Sequence, residues 1–102
     1  MKNLWTTAAL VLAAAGAQAQ TPDALYIKSL AATCANCHGT DGRAVNGSSV
    51  PTIAGMPREY LLTQLKAFKA GTRPATVMHQ LSKGYSDAQI EQISTYFAAQ
   101  KK

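Results

Sequence analysis

The segment ATCANCHGTDG, residues 32–42, holds both cysteines of the chain, three apart, with a histidine directly after the second. Each chemistry that uses two cysteines at this spacing demands a different scaffold, so no other feature constrains the fold as much. A thioredoxin-like redox disulfide needs its pair at the end of a strand in an α/β sheet. A structural zinc site needs four protein ligands. Covalent haem attachment needs Cys-x-x-Cys-His, with two thiols to bond the vinyl groups on one porphyrin edge and a histidine placed to reach the iron. A plain disulfide needs nothing beyond the pair.

The chain has 102 residues, the length of one domain. Its first stretch, MKNLWTTAALVLAAAGAQAQ, does not read as fold material. Lys2 gives a short positive start, an apolar run follows from Thr7 to Ala15, and Ala17-Gln18-Ala19 is a small-x-small triplet. Residues 1–19 are therefore expected to be a cleaved secretory signal peptide, the apolar run being well short of the roughly 20 residues a span requires. No other stretch is apolar enough to cross a membrane. The expectation is a bacterial periplasmic protein with no transmembrane anchor after processing.

Residues 20–102 then make up the domain. At that size a hydrophobic core alone gives marginal stability, and a staple is usual. The formal charge of +5 suits an acidic partner or surface. No nucleic-acid partner is expected, because the basic residues are scattered and no recognition motif accompanies them.

Helical signals dominate the domain. Thr21 before Pro22 suits an N-cap and first helical position, and PDALYIKSLAATCANC reads as a helix running into the cysteines. Leu25, Tyr26, Ser29, Leu30 and Thr33 fall along one side of it. Pro57 can open a second helix, REYLLTQLKAFKA, with Leu61, Leu65 and Phe68 at helical spacing and Gly71 at the C′ position. Ser86 followed by Gln89 is a capping-box signature for a last helix, with Ile90, Ile93 and Phe97 on one face and Tyr96 beside it. Between these lie GTDGRAVNGSSVPTIAGMP, with four glycines and two prolines, and GTRPATVMHQLSKG, with room for one helical turn. Long ordered loops in a small domain are usually functional and need a surface to wrap. There is no alternating strand pattern, repeat or low-complexity tract. The fold class is all-α.

That outcome decides the cysteine chemistry. Without a strand the thioredoxin reading has no scaffold. Zinc would find only Cys34, Cys37, His38 and His79. A plain disulfide explains neither the adjacent histidine nor the loops. Covalent haem at Cys34 and Cys37, with His38 as an axial ligand of the iron, explains all three, and it supplies the missing core, so the haem-free chain is expected to be largely unfolded. For the sixth position the residues alone leave Met56, Met78 and His79 open, a lone methionine being most often a core residue.

Beyond the signal peptide the chain resembles a class I c-type cytochrome, in particular small members with segments like CHGTDG, PTIAG, YLLTQLKAFKAGTR, a ligand methionine and YSDAQIEQISTYF. The resemblance implies N- and C-terminal helices packed around one haem c. It implies Met78 as the second axial ligand, and the carbonyl of Pro51 as acceptor for the free N–H of His38, a bond that fixes the ring and raises its basicity. Residues 20–102 lack tryptophan, so hydrogen bonds to the propionates fall to groups such as Tyr85 or Arg73. An iron bound by histidine and methionine has no open position and exchanges single electrons at a raised potential. The implied function is electron transfer, with no catalysis by this chain alone. The stretch TVMHQLSKGYSDAQIEQISTYFAAQ resembles the cytochrome subunit of flavocytochrome c sulfide dehydrogenases. That implies a flavoprotein sulfide dehydrogenase subunit, or another periplasmic redox protein, as partner. The alternative is a free-standing soluble c-553- or c4-type shuttle to a terminal oxidase or other redox partner. In either case the partner is expected near Thr33, Ala35, Pro74, Ala75, Thr76 and Val77, with Arg43, Arg73 and Lys83 at the rim.

Overall fold

The computed structural model describes residues 22–102; the expected signal peptide lies outside the described residues. Among those described there are five α-helices and no strand: α1 (Pro22–Ala32), α2 (Ala35–His38), α3 (Arg58–Ala70), α4 (Met78–Ser82) and α5 (Asp87–Ala98), with a 3₁₀ turn at Thr40–Gly42. Helix α5 packs on both α1 and α3, and α4 packs on α3. None of the helices is long and apolar enough to cross a membrane.

The caps follow the local sequence. Ser86 accepts from the Gln89 backbone N–H at 3.1 Å while the Gln89 side chain accepts from the Ser86 N–H at 2.8 Å, closing the capping box of α5. Gly71 ends α3 in the left-handed conformation, φ 78°, where a side chain would be strained. Pro57 stands just outside α3, in the N-cap position.

Helix α1 differs from expectation at both its end and its face. It stops at Ala32 instead of running on to Cys37. The Thr33 hydroxyl donates to the Leu30 carbonyl at 2.8 Å, and the Cys34 N–H reaches back only to Ala31, at 3.1 Å. This tightened turn breaks the helix and restarts it at Ala35. The buried residue on α1 is Ala31, while Leu25 and Tyr26 are exposed. Apolar side chains lie nearly all round α1, so periodicity alone could not choose its inner face. A small residue lets α1 approach α5 closely, and that contact makes the choice.

The buried core is thin. Ala31, Leu61, Ile93 and Phe97 form one cluster, with Leu30, Cys34, Ile53, Met56, Leu65, Tyr85, Tyr96 and Ala98 packed against it. Leu61, Ile90, Ile93 and Phe97 are buried, as the helical spacing predicts.

Candidate functional site

The broken end of α1 sets up the site. Cys34 caps α2, and the N–H groups of Cys37 and His38 both turn back to the Cys34 carbonyl, at 3.3 and 3.0 Å. One tight turn therefore presents both sulfurs and the imidazole together. The cysteines are unpaired thiols, Cys34 partly buried and Cys37 exposed. Burial pushes the Cys34 thiol above its ordinary pKa, partly offset by the neighbouring Thr33 hydroxyl. Covalent attachment would replace each thiol by a thioether, which has no such proton.

His38 is buried, and its Nδ1 lies 2.7 Å from the Pro51 carbonyl oxygen. A carbonyl can only accept, so Nδ1 carries the proton and donates. Nε2 is left as the nitrogen with a free lone pair. The loop is held so as to offer that carbonyl. Gly42 accepts at its own carbonyl from the N–H groups of Ile53 and Ala54, at 2.8 and 3.1 Å, and the Thr52 hydroxyl accepts from the Ala44 N–H at 3.0 Å. These bonds lay residues 52–54 beside 42–44 and bring Pro51 alongside the histidine.

Three side chains competed for the sixth position. Met56 packs against the core cluster. On α4, residues three apart share a face. His79 thus shares one with Ser82, which is buried, and both His79 Nδ1 and Ser82 Oγ are enclosed without a hydrogen-bond partner. Met78 shares the other with Leu81, which is half exposed. Met78 is itself partly buried, beside the half-exposed Val77 and Leu81.

Tyr85 and Arg73, the expected propionate contacts, both have partners within the protein. The Tyr85 hydroxyl lies 2.6 Å from Thr33 Oγ1, so a propionate would have to compete with Thr33 for it. Arg73 donates to Gln64 Oε1 and lies over the Phe68 ring, 4.6 Å from its centroid.

One set of residues escaped sequence reasoning. Tyr96 donates to Asp41 Oδ1 at 2.6 Å, Arg43 pairs with the same carboxylate at 3.4 Å, and Arg43 also donates to the Lys101 carbonyl at 3.0 Å. That acceptor carboxylate pushes the Tyr96 phenol up to about 12. Asp41 adopts φ 52°, a left-handed conformation that aspartate tolerates better than most residues. The Thr-Asp-Gly run after the motif was the available signal, being turn-forming residues.

The described residues contain no group of three His, Cys, Asp or Glu side chains placed to hold a metal ion. The site thus holds a thiol pair, a histidine oriented through Nδ1, and a partly buried methionine at the start of α4.

The sequence pattern of the family described as "Cytochrome c" matches residues 24–101. The chain belongs to the cytochrome c family. It is 46% identical over 68 residues to the cytochrome subunit of sulfide dehydrogenase from Chlorobaculum tepidum, an alignment covering 67% of this chain and 60% of that relative. It is 35% identical over 101 residues to cytochrome c4 of Pseudomonas aeruginosa, covering 99% of this chain and 50% of the relative. Its fold is similar to the solved cytochrome c4 of Acidithiobacillus ferrooxidans, with a TM-score of 0.68 and 27% identity, over 81% of this chain and 52% of that one. The chain thus spans about half the length of these relatives.

Family membership implies covalent haem c, and the residues of this cytochrome fit it. Cys34 and Cys37 are free and correctly spaced, and His38 keeps Nε2 available because Pro51 occupies Nδ1. The half-exposed Val77 and Leu81 flank Met78 with apolar surface of the kind a porphyrin covers.

Proposed function

We propose that this chain is a periplasmic monohaem electron carrier, its haem bonded to Cys34 and Cys37 and its iron ligated by His38 and Met78. The haem, when bound, supplies a one-electron redox couple. His38 is held in one orientation and made a stronger donor by the Pro51 carbonyl. Met78 would be the second residue to hold the iron, which would leave no place there for substrate or oxygen and would favour the reduced state. The domain, residues 20–102 after removal of residues 1–19, would then hold and shield the couple and perform no catalysis of its own. The single observation behind this reading is the 2.7 Å bond between His38 Nδ1 and Pro51, which leaves Nε2 free beside two unpaired thiols.

The test is spectroscopic. The oxidised holoprotein should show the weak red absorption of an iron–sulfur bond. Met78→Ala should abolish it and open the iron to cyanide, whereas Met56→Ala should do neither. An unchanged band in Met78→Ala would refute the ligand assignment.

Within that reading, the relative from Chlorobaculum tepidum supports a role as the cytochrome subunit of a flavoprotein sulfide dehydrogenase. The nearly full-length match to cytochrome c4 favours a second reading, a free-standing shuttle. Salt separates them. A permanent subunit buries extensive apolar surface and stays with its flavoprotein through a high-salt wash. A shuttle elutes alone, and its reduction by partners slows steeply as salt rises. We favour the subunit, with contacts around the apolar Val77 and Ala75 that Arg73→Glu should barely change.

A further inference from the structure

Tyr85 and Thr33 connect the two stretches of chain that flank the site. Their oxygens are 2.6 Å apart. The single hydroxyl proton of Thr33 goes to the Leu30 carbonyl, at 2.8 Å, so Tyr85 is the donor and Thr33 the acceptor. At one end Thr33 immediately precedes Cys34, within the tight turn that presents the sulfurs. At the other, Tyr85 follows α4 without slack: its N–H bonds the Ser82 carbonyl at 3.2 Å, and the Gly84 N–H bonds that of Leu81 at 3.1 Å. The Tyr85 ring packs against the core cluster, which keeps it from swinging away.

Helix α4 needs such a restraint. It has five residues, and Val77 at its N-cap supplies no side-chain hydrogen bond. Helices this short are not stable by themselves. Helix α3 supports α4 on one side. Among the described residues no other side-chain hydrogen bond joins residues 76–85 to the turn at 33–38.

We propose that the Tyr85–Thr33 hydrogen bond is a latch that fixes the position of α4, and of Met78 with it, relative to the Cys34–His38 turn. Both are then positioning residues for the sixth ligand, a role that rests on the reading of Met78 as that ligand. Opening the latch frees α4 to lift while the rest of the fold stays intact. The net value of a neutral hydrogen bond corresponds to a roughly three- to tenfold change in the open population.

The experiment uses the oxidised holoprotein and imidazole as a competing ligand. Tyr85→Phe deletes the donor and keeps the ring in the core. Thr33→Val deletes the acceptor at an exposed position, which keeps the test available if the tyrosine variant folds poorly. Each should bind imidazole roughly three- to tenfold more tightly than the wild type. The double variant should go no further than either single one, and Thr33→Ser should restore wild-type affinity. Hydrogen exchange at the Gln80 and Leu81 amides, which bond the Val77 carbonyl, should accelerate by the same factor whichever residue ligates the iron. A purely structural role would lower the denaturation midpoint without changing imidazole affinity. With the iron–sulfur band lost in Met78→Ala, unchanged imidazole affinity or unchanged exchange in the variants overturns the latch. With the band unaffected in Met78→Ala, the ligand reading falls separately, and the exchange rates alone decide whether α4 is latched.

Discussion

Replacing Gly42 with alanine tests whether one backbone position sets both the stability of the core and the orientation of His38. Gly42 has φ 81°, and a Cβ there would lie 2.7 Å from Phe97 Cδ1, 2.8 Å from Ile53 Cγ1 and 3.0 Å from the Ala54 nitrogen. The left-handed conformation costs a residue with a Cβ roughly 1–2 kcal/mol. Phe97 is 1% exposed and has nowhere to retreat, so overpacking adds ~1–3 kcal/mol. The total, ~2–5 kcal/mol, is a large share of the ~5–15 kcal/mol that holds a small domain together. At ~4–8 °C per kcal/mol it should lower the Tm of the holoprotein by at least roughly 8 °C.

The same change should reach the iron. The Gly42 carbonyl anchors Ile53 and Ala54, and those residues carry the loop that offers the Pro51 carbonyl to His38. Displacing Gly42 should weaken that bond; with His38 holding the iron as proposed, it would then be a poorer donor and the reduction potential would rise. Gly47→Ala is the control. It has the same φ of 81° but open space around the added Cβ, so it should cost only the conformational part, ~1–2 kcal/mol, and leave the potential alone. Denaturant melts and redox titrations of both variants measure these effects. If Gly42→Ala is no less stable than Gly47→Ala and its potential is unchanged, the coupling inferred between Phe97, Gly42 and Pro51 is wrong.

Two further predictions concern the motif and the C-terminal helix. Matured in a host with a c-type cytochrome assembly system, the protein should keep its haem through acidified-acetone extraction, and Cys34→Ala or Cys37→Ala should weaken or abolish that retention; haem that extracts freely from the wild type refutes covalent attachment. Tyr96 is raised to about 12 by the Asp41 carboxylate, so its neutral form is the one the fold favours. Its contribution is complete below the unfolded phenol pKa near 10 and disappears as pH climbs through about 12. Wild-type stability should therefore fall between pH 10 and 12 more steeply than that of Tyr96→Phe, and parallel curves would show that the Asp41 bond contributes nothing.

The features legible in the sequence were those whose physics is local. Gly71 ended α3 and Ser86 with Gln89 opened α5, because a cap is settled within one helical turn. The Cys34, Cys37 and His38 motif was legible for the same reason, being three residues at fixed spacing, although the turn that presents them was expected as continuing helix. The end of α1 was misplaced because a hydroxyl bond, Thr33 to Leu30, overrode helix-forming residues on either side. The Asp41–Tyr96–Arg43 network was missed altogether. Its partners lie up to 58 residues apart, and no periodicity connects a turn after the motif to the last turn of the chain.

That last turn is as much part of the site as the motif. Tyr96 holds Asp41, Phe97 packs where Gly42 leaves room, and the Phe97 carbonyl accepts from the Gly55 N–H at 2.8 Å. The two rings brace each other edge to face, with centroids 5.3 Å apart and planes at 87°. Two adjacent residues of α5 thus grip the loop from 41 to 55 at three points, and Pro51, the acceptor of His38, lies between the second and the third. Core packing and the orientation of His38 are therefore one structure here. Substitutions at Tyr96 or Phe97 should shift stability and reduction potential together, whereas changes on the exposed side of α3, at Tyr60 or Lys66, should leave both alone.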